Sequence, residues 1–335
     1  MRIFVSMPHG AVWDSYFNDE AIARLKAHGA TFNESDKQLT PEALRAVLME
    51  HDVLITGWGH LDLTRELVAG TALKLVVHTG GSVAALAPVE VFEEGVRVLT
   101  GNDYFAESVA EGVIAYCLYT LRKMPLHSVS LSERGVWIHN DGETANEGLL
   151  DQTVGIVSVG AISKHVMQMG KAFRLKFKVF STRRDEALAK ELGFTYADSL
   201  DELFTSCKIV SVHTASSAAT RHMINRNLLS LLTPGQILIN TSRGPVVDED
   251  ALAEMLAQKR FRAVLDVYSQ EPLPAGHPLI GLENAVLFPH VGGPTFDRRT
   301  YITNRLIDDI ESFMAGRSMV NEVSMETASR MTKNL

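Results

Sequence analysis

The sequence predicts an α/β protein with two doubly wound parallel sheets. Short, β-branched apolar runs alternate with stretches of helical periodicity along most of the chain, and the runs fall into two series. Strands that are apolar on both sides belong to parallel sheets covered by helices on both faces. A length of 335 residues is enough for about two domains.

The first series lies in the N-terminal part of the chain. Its predicted strands are 2–7, 52–57, 73–79 and 96–101, and helical patterns separate them near 14–28, 41–50 and 62–69. Because helices stand between the strands, we expect the strands to lie parallel in one sheet.

The second series begins after a long predicted helix at 104–124. Its predicted strands are 153–160, 176–182, 208–214, 236–242, 262–268 and 285–290, with helices at 161–173, 186–192, 221–232 and 248–258. A further long helix is predicted at 295–315. The simplest topology inserts a domain of residues 102–294 into a first domain made of 1–101 and 295–335. Two crossings of the chain would leave a cleft, a favoured place for a ligand.

Composition limits the classes of function. The net charge of −8 argues against a broad nucleic-acid or anionic-membrane surface. No apolar stretch of about 18 residues and no signal-peptide pattern occur, so we expect no membrane span and a cytoplasmic protein. The two cysteines, Cys117 and Cys207, form no CxxC pair and are predicted to be buried, reduced thiols. The histidines lack metal-ligand spacing, and no metal site is predicted.

A candidate dinucleotide motif follows the first strand of the second series. The GxGxxG fingerprint permits a tight turn, close approach to a pyrophosphate and close helix packing. The matching segment is GIVSVGAIS, residues 155–163. Of the three fingerprint glycines it has only the middle one, Gly160, and serines, Ser158 and Ser163, stand at the first and third positions. Ser163 is small enough for helix packing, but the turn at Ser158 favours a residue without a Cβ. We expect phosphates to bind the amides at the start of the next helix.

Two arginines, Arg183 and Arg184, follow the next strand, and no carboxylate stands there to bind ribose hydroxyls. Guanidinium groups suit a ribose 2′-phosphate, so the pair favours NADP as the cofactor, with NAD as the alternative. A pair of solvated arginines at the start of a surface helix would look the same in the sequence.

Three further residues follow later strands, at the edge where open α/β sheets bind ligands. Arg243 lies in NTSRGPVVDEDAL, Glu271 begins the EPLP segment, and His290 ends the FPH segment. Each residue taken alone also fits an ordinary structural role, as a helix-start contact, a loop acid or a buried histidine.

The segments around these residues resemble the D-isomer-specific 2-hydroxyacid dehydrogenases. The resemblance covers nearly the whole chain and is strongest over 205–293, where HTASSAATRHMIN, ILINTSRGPVVDEDAL, LDVYSQEPLP and FPHVGG follow in the family's order and spacing. It implies a Rossmann nucleotide domain inserted into a flavodoxin-like substrate domain. It also implies an NAD(P)-dependent oxidoreductase that interconverts a 2-oxo acid and a D-2-hydroxy acid, similar to glyoxylate/hydroxypyruvate reductases.

The resemblance implies a role for each member of this trio. His290 exchanges the proton, Glu271 orients the imidazole, and Arg243 binds the substrate carboxylate and polarises its carbonyl. The chemistry requires these residue types, because hydride transfer to a 2-oxo acid builds negative charge on the carbonyl oxygen, which a fixed cation stabilises. A histidine delivers the proton near neutral pH, and a carboxylate on its other ring nitrogen fixes the tautomer.

A glycine loop after a first-domain strand is expected to bind the substrate carboxylate through backbone amides. Here the loop contains Gly80, Gly81 and Ser82, and an amide nest suits a carboxylate. The family usually has Asp or Asn shortly after this loop, whereas Ala84 and Ala85 stand here, so the support of the loop differs. An ordinary glycine turn is the alternative.

The resemblance also implies residues that line the cofactor. Asp266 matches an acid that contacts the nicotinamide amide, and Thr214 and Ala215 match a turn in which the family more often has proline. The other expected cofactor contacts are Gly160, Ala161, Ile162, Thr241, Ser242 and Gly292. The helix that contains SVAE at 108–111 matches the family's dimer helix, so a homodimer is expected.

Three hypotheses for function stay open. The first is a cytoplasmic, NADPH-preferring 2-oxoacid reductase, and the second is an NAD-linked D-2-hydroxyacid dehydrogenase. Within the second, Glu271 argues against formate dehydrogenases, and the short segment after the last helix leaves no regulatory domain like that of many phosphoglycerate dehydrogenases. The third is a corepressor-like protein that binds a dinucleotide with little turnover, which the serines at 158 and 163 favour. The sequence does not predict which 2-hydroxy acid is the substrate.

Overall fold

The chain divides into two units, with crossings after Phe105 and after Gly293. A computed structural model describes residues 1–332. Unit 1 contains residues 1–105 and the described residues from Pro294 onward, and unit 2 contains Ala106–Gly293. The sequence predicts the crossings after residues 101 and 294. Each unit has its own parallel sheet and its own buried apolar residues.

Unit 1 is built around five parallel strands. They are β1 (Ile3–Val5), β2 (Thr31–Phe32), β3 (Val53–Thr56), β4 (Leu75–His78) and β5 (Arg97–Thr100). Their order across the sheet is β2-β1-β3-β4-β5, and every neighbouring pair is parallel. Sequence patterns miss β2 because two residues are too few to show a period. The order reverses between β1 and β3, which makes their carboxyl ends the expected place for a ligand.

Helices cover both faces of this sheet. They are α1 (Ala11–Tyr16), α2 (Asp19–Ala27), α3 (Pro41–Leu48), α4 (Arg65–Val68), α5 (Val89–Glu93), α13 (Phe296–Met314) and α14 (Met325–Ser329). The single helix predicted at 14–28 is wrong: Asn18 separates α1 from α2, because its side chain accepts a hydrogen bond from the Ala21 amide at 2.9 Å and caps α2.

Unit 2 holds a seven-stranded parallel sheet. Its strands are β6 (Thr153–Val157), β7 (Lys176–Phe180), β8 (Phe194–Tyr196), β9 (Ile209–Val212), β10 (Ile237–Asn240), β11 (Arg262–Leu265) and β12 (Ala285–Leu287). The order is β12-β11-β10-β9-β6-β7-β8. The chain therefore winds outward in both directions from β6, and the carboxyl ends of β6 and β9 flank the switch point.

Helices also surround the second sheet. They are α6 (Asn102–Leu121), of which the first residues belong to unit 1, α7 (Met124–Ser132), α8 (Ala161–Gly170), α9 (Glu186–Leu192), α10 (Leu200–Ser206), α11 (Arg226–Leu231) and α12 (Glu249–Ala257). The helix predicted at 104–124 ends earlier, since Lys123 takes the left-handed conformation with φ 48° before α7 begins. No helix within residues 1–332 is both long and apolar enough to cross a membrane.

The predicted fold class is confirmed, because both sheets are parallel and covered by helices. Predicted strands tend to run one to three residues too far at their carboxyl ends. The runs at 208–214 and 236–242, for example, include His213, Thr214, Thr241 and Ser242, which are buried but lie beyond the strands. These extra residues are the ones that border the candidate site.

Both cysteines are buried and unpaired, as predicted. Burial raises the pKa of the Cys117 thiol to about 12, so it stays protonated. Within residues 1–332, no group of three or more histidine, cysteine, aspartate or glutamate side chains could hold a metal ion.

Candidate active site

The loop between β6 and α8 forms the candidate phosphate cradle. A Cβ at Gly160 would meet no atom within 4 Å, so open space lies beside the backbone just before the helix. The Gly160 amide donates to Ser163 Oγ at 2.8 Å, and the Ser163 hydroxyl donates to the Gly160 carbonyl at 3.1 Å. Ser163 is fully buried, so a serine fits under this turn. Ala161 and Ile162 open α8 beside the cradle.

Ser158 adopts a conformation that glycine adopts more easily. Its φ is 76°, in the left-handed region, and its amide donates to the Phe180 carbonyl at 2.8 Å. A side chain in this region costs about 1–2 kcal/mol. The turn therefore forms without its first glycine, with strain in the backbone.

The two arginines after β7 differ in their surroundings. Arg184 forms an ion pair with Asp198 at 2.9 Å and lies over the ring of Tyr196. Arg183 is exposed, and its guanidinium has no hydrogen-bond or ion-pair partner within residues 1–332. Arg183 is therefore the member of the pair that is free to bind an anion.

Buried polar atoms at the ends of β9 and β10 also lack partners. They are His213 Nδ1 and Thr241 Oγ1, and neither has a hydrogen bond within the described residues. The other nitrogen, His213 Nε2, lies 2.9 Å from Ser211 Oγ. Burial lowers the pKa of His213 to about 4, so the ring is neutral at physiological pH. A bound polar group would satisfy these atoms, so the site fits a dinucleotide.

Thr214, Ala215 and Ser242 lie in the same two loops. Ser242 donates to Asn240 Oδ1 through both its amide, at 3.0 Å, and its hydroxyl, at 2.7 Å. The Asn240 amide group in turn donates to the Arg243 carbonyl at 3.1 Å. This network holds the backbone that carries Arg243.

Asp266 is buried and holds the loop that follows His290. Its two oxygens accept hydrogen bonds from the amides of Val291, at 2.9 Å, and Gly292, at 2.7 Å. Tyr116 also donates to it, at 3.3 Å. Burial raises the pKa of Asp266, and the two amides oppose that rise. A Cβ at Gly292 would lie 2.5 Å from this carboxylate, so only glycine permits the contact.

His290 and Glu271 form a close pair. His290 Nδ1 lies 2.6 Å from Glu271 Oε2, and the Tyr268 amide donates to Glu271 Oε1 at 2.9 Å. The His290 side chain is 45% exposed, so its other nitrogen is within reach of a substrate. Because Glu271 occupies Nδ1, Nε2 is the nitrogen available for proton exchange.

Arg243 lies on a neighbouring loop and is half-buried. Its guanidinium donates to the Ser242 carbonyl at 2.7 Å. Burial lowers the pKa of Arg243, and the negative charge of Glu271 opposes that change. A Cβ at Gly244 would lie 1.9 Å from the Tyr268 carbonyl carbon. The glycine after Arg243 therefore lets its loop lie directly against the loop that carries Glu271.

An apolar cavity of about 590 Å³ borders Glu271 and His290. Apart from Glu271 and His290, its walls are Tyr268, Pro272, Leu273, Ile280, Leu287, Phe288 and Pro289. Apolar walls lower the local dielectric constant, which strengthens the attraction between Glu271 and a protonated imidazole.

The glycine loop of unit 1 follows β4. The Thr100 hydroxyl donates to the Gly80 carbonyl at 2.9 Å and also to the Gly81 carbonyl. The amides of Gly81 and Ser82 donate to no other group within residues 1–332. Beneath the loop, a Cβ at Gly80 would lie 2.4 Å from His78 Nε2. The loop therefore holds its carbonyls inward and leaves two amides for a ligand.

The structure thus brings Arg243, Glu271 and His290 together in unit 2 and places Gly80, Gly81 and Ser82 in unit 1. Sequence patterns did not reveal the bond from the Tyr268 amide to Glu271, nor the way Asp266 holds the loop after His290. In both cases a carboxylate accepts a hydrogen bond from a backbone amide. Such a bond cannot be predicted from the residue type or from the spacing of a motif.

Known proteins match this chain over most of its length. A sequence profile described as "D-isomer specific 2-hydroxyacid dehydrogenase, NAD binding domain" matches residues 114–292. Glyoxylate/hydroxypyruvate reductase B of Yersinia pestis is 31% identical over 315 residues, which cover 90% of this chain and 93% of the relative. D-3-phosphoglycerate dehydrogenase of Methanocaldococcus jannaschii is 28% identical over 310 residues, and these cover 92% of this chain but 58% of the relative.

A solved structure of an acyclic imino acid reductase in complex with NADPH and D-Arg has a TM-score of 0.77 and 26% identity, and the match covers 97% of this chain and 100% of that one. The NAD-binding profile and the reductases and dehydrogenases among the relatives place the chain among the nicotinamide-dependent oxidoreductases. The profile match covers more than half of the chain. The chain belongs to the D-isomer-specific 2-hydroxyacid dehydrogenase family.

Proposed function

We propose that this protein reduces a 2-oxo acid to the corresponding D-2-hydroxy acid, with NADPH preferred over NADH. The observation that carries the proposal is the 2.6 Å contact between His290 Nδ1 and Glu271 Oε2, beside the loop of Arg243. The name of the Yersinia pestis relative supports a small 2-oxo acid as the substrate class. Bound NADPH would supply a hydride to the carbonyl carbon.

In this proposal His290 is the proton donor for the carbonyl oxygen. Glu271 holds Nδ1 and stabilises the imidazolium, so the proton on Nε2 is directed away from the pair. In the oxidation direction the neutral ring accepts the hydroxyl proton at the same nitrogen. Asp266 acts through the backbone, because its bonds to the Val291 and Gly292 amides set the position of the loop that carries His290.

Arg243 would bind the substrate carboxylate and stabilise the charge that develops on the carbonyl oxygen. Its guanidinium stays protonated despite burial, since arginine does not lose its proton in proteins. A partly desolvated cation acts more strongly than an exposed one. We assign the amides of Gly81 and Ser82 to the substrate carboxylate, because they have no other acceptor within the described residues.

For the dinucleotide, we assign the cradle at Gly160 to the pyrophosphate and Arg183 to the 2′-phosphate. The free guanidinium of Arg183 supports NADPH, as does the NADPH complex of the imino acid reductase. Arg184 already pairs with Asp198, so its contribution is expected to be smaller.

The test has two parts. The first is titration of NADPH and NADH, read by nicotinamide fluorescence, in the wild type, Arg183→Ala and Arg184→Ala. Arg183→Ala should weaken NADPH binding about 10- to 100-fold and leave NADH binding unchanged, with a smaller effect of Arg184→Ala. The second is turnover of glyoxylate, hydroxypyruvate and longer 2-oxo acids. NADPH binding without turnover of any substrate would contradict the reductase proposal and favour a binding protein.

We also propose a homodimer. Apolar side chains on and after α7 are exposed, among them Leu131, Val136 and Trp137, which is 73% exposed. Burial of such a surface against a second copy would remove it from water. Sedimentation velocity of the purified protein tests this, and a monomer at micromolar concentration would contradict it.

A further inference from the structure

We propose that unit 1 carries a second anion site, which binds a negatively charged group at the far end of the substrate. The site is the Arg299 cluster, made of Ser15, Tyr16, Trp58 and Arg299. This inference rests on the proposed function, since it concerns the same substrate. The chemical class would be a 2-oxo acid with a distal carboxylate or phosphate.

Arg299 is a half-buried cation that has no anionic partner within residues 1–332. It lies near the start of α13, where Nη1 donates to Ser15 Oγ at 3.2 Å and Nε reaches the Pro294 carbonyl at 3.4 Å. No carboxylate lies within ion-pair distance of it in the described part of the chain. Arg305, farther along the same helix, pairs with Asp308 at 3.2 Å. Arg299 thus keeps Nη2 free for a ligand.

Aromatic rings fix the position of this guanidinium. Its central carbon lies 5.1 Å from the ring centre of Trp58 and 5.8 Å from that of Tyr16. The two rings meet edge to face, with centres 5.4 Å apart. Trp58 is 41% exposed and Arg299 is partly exposed, so the side of the cluster formed by these two residues borders solvent, whereas Ser15 and Tyr16 lie beneath it. A planar cation held between rings is preorganised for the two oxygens of a carboxylate or phosphate.

Tyr16 supplies a second, independent observation. Its side chain is fully buried, yet its hydroxyl has no hydrogen-bond partner within residues 1–332. Burial raises the pKa of Tyr16, and the charge of Arg299 opposes that rise. A buried hydroxyl without a partner is uncommon in folded proteins. A bound anion would provide an acceptor for the tyrosine proton and for the free guanidinium protons together.

The cluster shares one edge of the sheet with the glycine loop. Trp58 follows β3, the glycine loop follows β4, and parallel strands end at the same edge. The two places are linked through Phe105. Its ring lies 5.9 Å from that of Trp58 and would be 3.6 Å from a Cβ at Gly81. One molecule could therefore place a carboxylate on the Gly81 and Ser82 amides and extend its far end toward Arg299.

The experiment compares substrates that differ only in the distal group, which is anionic in one member of each pair and uncharged in the other. The pairs are 2-oxoglutarate with 2-oxopentanoate, and 3-phosphooxypyruvate with 3-hydroxypyruvate, each assayed as kcat/KM with saturating dinucleotide. The wild type should prefer the charged member of at least one pair. Preference in the first pair identifies a carboxylate, and preference in the second identifies a phosphate.

Variants then assign that preference to the cluster. Arg299→Gln should lower the ratio of charged to uncharged substrate about 10- to 100-fold, and Arg299→Lys should keep part of it. Tyr16→Phe should lower the ratio by a smaller factor. Arg305→Gln is the control, because it removes an arginine from the same helix outside the cluster, and it should leave the ratio unchanged.

Equal ratios in the wild type and Arg299→Gln would overturn the inference while the proposed reductase function stands. If the wild type turns over none of the substrates, the proposed function is contradicted instead. In that case calorimetric titration of 2-oxoglutarate and 3-phosphooxypyruvate into the wild type and Arg299→Gln decides separately. Binding that needs Arg299 supports the anion site, and binding that is absent or equal in both proteins overturns it.

Discussion

The two units offer different chemistry at the same edge of similar sheets. Beyond the strands of unit 2 lie charged side chains, and His290 and Glu271 approach to 2.6 Å. Beyond the strands of unit 1 lie the backbone amides of a glycine loop and Trp58, whose ring contacts Arg299 of α13. The first arrangement suits proton transfer, and the second suits the binding of an anion.

This difference shows which kind of site is sensitive to which change. A site of side chains fails when one functional group is removed, because no neighbour replaces its proton or charge. A site of backbone amides fails when the path of the backbone changes, even by one added methyl group. We therefore expect substitutions of the trio in unit 2 to lower kcat, and substitutions that displace the glycine loop in unit 1 to raise KM.

The largest effect is expected from removal of the imidazole in unit 2. His290→Ala should lower kcat about 10²–10⁴-fold, because the carbonyl oxygen loses its proton donor. Steady-state kinetics with the best 2-oxo acid measure this. His222→Ala is the matched control, because His222, like His290, lies in unit 2, is exposed and has a left-handed backbone, with φ 49° against 54°, but stands outside the trio. A decrease in kcat of less than 10-fold for His290→Ala would contradict the role of His290 as the proton donor.

The next effect is expected from an added methyl group in unit 1. A Cβ at Gly80 would lie 2.4 Å from His78 Nε2. Because the His78 ring is buried and its Nδ1 lies 2.9 Å from Thr56 Oγ1, we expect Gly80→Ala to displace the amides that follow. We expect KM for the 2-oxo acid to rise at least about 10-fold. Gly81→Ala should act less, because its Cβ would meet Phe105 at an ordinary 3.6 Å. If the smaller side chain in Gly80→Ala/His78→Ala does not restore part of the affinity, steric displacement is the wrong explanation.

A feature shared by both units predicts how stability depends on pH. Burial lowers the pKa of His78 to about 3 and that of His213 to about 4. The unfolded histidines bind protons near pH 6.5. Between about pH 4 and 6.5 the unfolded chain therefore holds more protons, and the free energy of unfolding falls as pH falls, by up to about 1.4 kcal/mol per pH unit for each histidine.

Urea denaturation between pH 4.5 and 7 measures this dependence. His78→Asn and His213→Gln each keep an amide near the nitrogen that bonds Thr56 or Ser211, and each should make the pH dependence less steep. His139→Gln, at an exposed position, should leave it unchanged. If the free energy of unfolding depends on pH equally in the wild type, His78→Asn and His213→Gln, burial does not lower the pKa of either histidine.

The smallest effect concerns backbone strain in the cradle of unit 2. Ser158→Gly should raise the free energy of unfolding by about 0.5–1 kcal/mol, because released strain exceeds the added freedom of the unfolded glycine. Ser163→Gly should lower it by about 1 kcal/mol, since Ser163 is helical and its hydroxyl bonds Gly160. Thermal or urea unfolding measures both. The same sign for the two substitutions would contradict the assignment of strain to Ser158.

Sequence patterns predicted most of the sheet strands but not β2 or β8. Both are short and contain a threonine, so neither lies in a continuous apolar run, whereas the three-residue strands β1 and β12 are apolar throughout. The trio was predicted because its members lie in segments with a recognisable order. The unequal surroundings of Arg183 and Arg184 could not be predicted, because Asp198 and Tyr196, which contact Arg184, come from the next strand and the loop after it.

By itself the sequence determined the α/β class, the family, and the residue types of the candidate site, because periodicity and motif spacing are local properties of the chain. Only the tertiary structure decided which polar groups are satisfied. Asp266 is occupied by amides 25 and 26 residues later, and Arg299 meets Ser15 across 284 residues. Such contacts form only when the fold places distant segments of the chain side by side, and a local sequence pattern does not predict them.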